Sequence, residues 1–75
     1  MRGMLAGGPF QGLTLDHVED LSQVTLTRGL TDYVYLPRGG VVKDVIIFRT
    51  TYLTDDLARQ FVEAELRRRA NAVRD

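Results

Sequence analysis

The chain has 75 residues, ten basic and ten acidic side chains, and no cysteine. That length predicts one domain over 1–75 with a marginal core, of the kind that buries only about 60% of its unfolded surface; with no cysteine, disulfides and thiolate-bound zinc are excluded, and self-association is the remaining support. The charge balance excludes a protein whose task is simply to coat nucleic acid or an anionic membrane, and no apolar run approaches the ~20 residues of a membrane helix, so a cytoplasmic chain without membrane contact is expected.

Residues 2–6 read as a first strand, and Gly7 to Gly12 as a turn. Leu13 to Val18 alternates apolar and polar residues at period two, as does Gln23 to Thr27. Gly29 marks a turn before Asp32-Tyr33-Val34-Tyr35-Leu36, which is rich in aromatic and β-branched residues and reads as a strand. Pro37-Arg38-Gly39-Gly40 is a second turn. Val41 to Thr51 reads as the longest strand. The period then changes: Thr54 is a good N-cap, Asp55 and Asp56 suit the first turn, and Leu57, Ala58, Phe61, Val62 and Leu66 recur at helical spacing. The expected fold is α+β: an antiparallel meander of four to five short strands, then one C-terminal helix over about 54–72 packed on or beside the sheet.

The run Gly7 to Gly12 with Thr14 comes within one residue of a phosphate-binding loop, but Leu13 stands where that loop needs its lysine. The following residues alternate as a strand, whereas a phosphate loop opens a helix. A rigid turn accounts for the glycines and Pro9. A hydrophobic strand, a GGPxDG turn and an alternating strand are also shared by a group of small proteins of actinobacteria and their bacteriophages, which this N-terminus resembles through Met4, Leu5, Gly7, Gly8, Pro9, Gly12, Leu13 and Leu15. Gln11 replaces the usual acidic residue, and the likeness covers about the first fifteen residues. It implies a small β-rich protein, phage- or prophage-encoded, and no particular activity.

Asp16-His17-Val18-Glu19-Asp20 concentrates polar side chains, but a metal needs at least three converging ligands and catalysis needs a nucleophile, a base and an orienting group. His17 and Ser22 are single residues of their kinds and form no such set. No catalytic residue, metal or cofactor is therefore expected. The cations Arg38, Lys43, Arg49, Arg67, Arg68 and Arg69 are the candidates for a nucleic-acid surface, with Tyr33 and Tyr35 able to stack on bases. Against this, Glu63 precedes Arg67 by four residues and Glu65 precedes Arg69 by four, which favours ion pairs along the helix.

By parity, Val45 and Ile47 face one side of the long strand and Ile46 and Phe48 the other. Tyr33 and Tyr35 join the second group. Small antiparallel sheets usually wet one face, and one helix covers one face. A second subunit is the expected cover for the other, and Tyr33, Tyr35, Ile46, Phe48, Val62, Leu66 and Val73 are the predicted interface residues. A symmetric homodimer or small oligomer is favoured, with a larger host protein as the rival partner. The leading expectation is a non-enzymatic interaction protein that self-associates; a small nucleic-acid-binding regulator is the alternative.

Overall fold

Val45-Ile46-Ile47-Phe48 is apolar on both strand faces, and such a strand is stable only between two covering layers. A computed structural model, which describes residues 1–73, places it so. The fold is α+β: β1 (Arg2–Ala6), β2 (Thr14–Asp16), β3 (Val24–Arg28), β4 (Thr31–Tyr35), β5 (Val41–Val42), β6 (Val45–Arg49) and α1 (Asp55–Val73). Four strands form a sheet in the order β2-β1-β6-β5, and β3 and β4 form a separate ribbon.

The centre of the sheet is parallel, not a meander. β1 lies beside β6 in parallel register, with Met4 opposite Ile47 and Leu5 opposite Phe48. Sequential hairpins cannot give this pairing, because it joins the first and last strands of the chain. The interior is the reason: these are the two strands whose apolar residues are buried on both faces, and pairing them side by side hides both.

The predicted strand over 41–51 is instead a hairpin. Lys43 and Asp44 have φ of 48° and 68°, and the Val42–Val45 pair closes around them. Positive φ at both central residues is the geometry of a type I′ turn, whose twist matches the flanking strands. The predicted turn at 37–40 does not lay β4 along β6. Past the end of β4, Leu36 exchanges two backbone hydrogen bonds with Arg49 of β6 at 2.8 and 2.9 Å, Gly39 N–H donates to Ile47 O at 3.4 Å and Ile47 N–H donates to Gly40 O at 2.9 Å.

Helix α1 begins as predicted. Thr54 Oγ1 accepts the Leu57 N–H at 3.2 Å, and Asp55 and Asp56 occupy the first turn. The helix buries one stripe: Ala58 and Val62 are fully buried, with Phe61 and Leu66 packed beside them, whereas Leu57 and Ala64 are exposed. This stripe meets Met4, Ala6, Val45 and Ile47. The other face carries Leu5 and Phe48, covered by Val18 and Tyr35, with Val24, Leu26, Tyr33 and Ile46 packed around them. The chain is thus layered as helix, sheet and ribbon.

Candidate functional site

The glycine-rich turn is spent on its own closure. Gly12 N–H donates to Leu5 O at 2.8 Å, Leu5 N–H to Leu13 O at 2.9 Å, and Gly7 N–H to Gln11 Oε1 at 3.1 Å. Tyr35 reaches across from the ribbon and donates its hydroxyl to Gly7 O at 2.8 Å, a bond buried in the core. Gly7 has φ of 88°, and a Cβ there would lie 2.5 Å from Thr50 Oγ1, so only glycine fits. The N–H groups of Gly7, Gln11, Gly12 and Leu13 are already engaged within the turn, and β2 follows rather than a helix.

His17 is exposed at φ 57° beside a shallow corner formed with Met1, Arg2, Asp16 and Asp44. Among the described residues no three of the histidine and carboxylates converge as a metal site. Glu19 does not face His17 as a ligand; it accepts the terminal ammonium of Met1 at 2.8 Å, which holds its carboxyl below the usual range.

The predicted cations divide into two groups. Arg49 is structural: its Nε donates to Asp55 at 2.5 Å and its other nitrogen to Leu53 O at 2.7 Å, tying β6 to the start of α1. Arg68 and Arg69 both pair with Glu65, and Arg69 also donates to Gly12 O at 2.6 Å. The Arg68 guanidinium, followed by Arg69, holds the Glu65 carboxyl below its ordinary range. The expected Glu63–Arg67 pair does not form within ion-pair distance; Arg67, Lys43 and Glu63 instead rim a small cleft over Val42 and Leu66. Arg38 and Lys43 are exposed and, among the described residues, unpaired.

Six of the predicted interface residues lie in or against the two cores. Tyr35, Phe48 and Val62 are 0% exposed. Tyr33, Ile46 and Leu66 are half-buried in the two cores. The role assigned to Val73 lies outside the described side chains. Tyr35 is buried and so is not presented for base stacking, whereas half-buried Tyr33 packs edge-on against Phe10 with ring centres 6.1 Å apart. The premise for a second subunit, that one sheet face lacks cover, is therefore corrected: the β3–β4 ribbon supplies the cover.

Large apolar side chains are exposed elsewhere. Leu30, at the tip of the ribbon, is fully exposed at 106%, and Tyr52, in the loop before α1, at 71%. Val34 is 38% exposed. Val34 and Tyr52 flank a crevice of about 450 Å³ with Asp32, Tyr33, Thr50 and Thr51. Sequence reasoning missed Leu30 and Tyr52, since isolated apolar residues in turns carry no periodic signal. No family model, no curated protein and no solved structure matches this chain.

Proposed function

We propose that this chain is a non-enzymatic protein-interaction module that self-associates. One observation carries the reading: three of the eight large apolar side chains exposed among the described residues, Leu30, Val34 and Tyr52, lie on or beside the β3–β4 ribbon, and Val34 and Tyr52 share one crevice. Both faces of the central sheet are satisfied within the chain, so the protomer needs no partner to fold. The contact is then a reversible one between folded chains rather than an obligate shared core. A host protein of a bacterium, met by a phage- or prophage-encoded factor, is the rival occupant of the same surface.

Light scattering across a concentration series tests the reading. The mass should rise from one chain toward two. A mass that stays at one chain throughout removes self-association and leaves only the rival partner. A nucleic-acid role is favoured by a different observation, the exposed cations Arg38, Lys43 and Arg67 near the β5 edge and the flank of α1. Labelled DNA or RNA titrated across salt concentrations checks it; absence of salt-dependent binding ends that reading.

A further inference from the structure

An exposed strand edge is a row of unpaired N–H and C=O groups, and folded proteins blunt such edges with short strands, charges, prolines or cover. The sheet edges here are treated unequally. β5 spans two residues and β2 spans three, ending at Asp16. The outer edge of β4 is engaged at its end, where Leu36 bonds Arg49, and carries Asp32 beside the Tyr52 loop. β3 is different. Its five residues, Val24-Thr25-Leu26-Thr27-Arg28, contain no proline or acid, and their only cation is the terminal Arg28. Their one partner is β4, and no backbone hydrogen bond beyond that ladder engages them.

The pairing register shows which groups are bare. Arg28 faces Thr31 across the turn formed by Gly29 and Leu30, so the pairs Arg28–Thr31, Leu26–Tyr33 and Val24–Tyr35 exchange the ladder bonds. The N–H and C=O groups of Thr25 and Thr27 therefore point outward. Both side chains are exposed, and Leu26 between them is half-buried on the inner face.

We infer that the partner of this surface is a second copy of the chain, joined antiparallel through β3 about a twofold axis at Leu26. The inference rests on the self-association reading and specifies its contact. In this register Thr25 faces Thr27 of the second copy, Leu26 faces its equivalent, and Val24 faces Arg28. All five residues of the strand are used. Thr25 and Thr27 exchange their bare backbone groups, threonine pairs line the outer face, and no like charges oppose one another. Shifting the register either way drops residues into the turn at Gly29 or the non-strand segment before Val24. The product is a four-stranded β4-β3-β3-β4 sheet, closed by its symmetry. Such a contact is small, below the ~1,200 Å² of standard interfaces, so it should be populated between about 10 µM and 1 mM.

Two measurements test it. Thr25→Pro removes an outward N–H without touching the ladder to β4, and Thr25→Val keeps that N–H and the β-branched shape. The wild type and Thr25→Val should dimerise by light scattering up to about 1 mM, and Thr25→Pro should stay at one chain while keeping its circular dichroism. Independently, Leu26→Cys should cross-link under mild oxidation at least about tenfold faster than Leu30→Cys, because facing non-bonded residues lie about 4.5 Å apart at Cα and the tips lie far from the axis. If Thr25→Pro fails to fold, the cross-linking ratio decides. A wild type that stays at one chain at 1 mM overturns this pairing and the self-association reading together. A wild-type dimer that survives Thr25→Pro, or in which Leu30→Cys links as fast as Leu26→Cys, overturns the β3 pairing alone.

Discussion

The two faces of the β1–β6 pair are covered by different chemistry. The helix face is small and aliphatic: Ala6 and Ala58 let α1 approach closely, while Met4, Val45, Ile47 and Val62 fill the contact. The ribbon face is built from larger reach. Phe48 and Tyr35 span the gap to the β3–β4 ribbon, and Gly3 leaves the room that Phe48 occupies, since a Cβ there would sit 2.9 Å from its ring. A helix brings a continuous stripe to a sheet, so many modest side chains share the contact. A two-stranded ribbon is marginal alone and depends on a few deep anchors. The comparison teaches that the ribbon side should be the more fragile and more easily isolated layer.

The largest effect should come from removing the central anchor. Phe48→Ala should cost about 3–5 kcal/mol in denaturant unfolding, enough to abolish much of the stability of a chain this size. If the ribbon depends on it, amide exchange of β3 and β4 should accelerate before that of β1 and β6. Uniform acceleration would mean the two layers unfold as one unit. On the helix face, Ile47→Ala should cost about 2–4 kcal/mol, with loss spread over α1 and the sheet.

Tyr35→Phe sharpens the contrast at intermediate cost. It leaves the Gly7 carbonyl without its buried donor, a loss of about 1–3 kcal/mol by chemical denaturation. It also separates the two faces by pH. Burial raises the Tyr35 phenol above its ordinary value, so the neutral form is favoured in the folded chain. Its contribution is complete below about pH 10 and is lost as pH rises through the higher folded value. Tyr35→Phe should abolish that alkaline loss. Glu65 on α1 behaves oppositely. Its carboxyl is depressed by Arg68 and then Arg69, so its contribution is present above the ordinary carboxylate range and lost as pH falls through the folded value. Glu65→Gln should flatten the acid side of the stability profile and leave the alkaline side unchanged.

The smallest effect belongs to the helix start. Thr54→Ala should cost about 1 kcal/mol, since it removes one cap bond at an exposed position. A loss confined to thermal stability, with unchanged exchange in the ribbon, would confirm that the layers respond separately.

Much of the fold was legible because its signals are local. Thr54, the acidic first turn and the spacing of Ala58, Phe61, Val62 and Leu66 identified α1 nearly to the residue. Period-two alternation located β3, and aromatic and β-branched composition located β4. The parity of Val45 to Phe48 correctly separated two apolar faces, and Tyr33 and Tyr35 correctly joined the Ile46–Phe48 side. The bare edge of β3 was not legible, because it follows from which strands find partners. That is settled by contacts between distant segments.

Local chemistry thus determined the element types, the helix boundaries and the need to bury a strand on both sides, because caps, turns and hydrophobic period act within a few residues. Tertiary structure alone decided that β1 would lie parallel to β6, that the ribbon rather than a neighbour would roof the second face, and that β3 would keep a bare edge. Each of those outcomes weighs burial against chain closure over tens of residues, and no short stretch of sequence carries that balance.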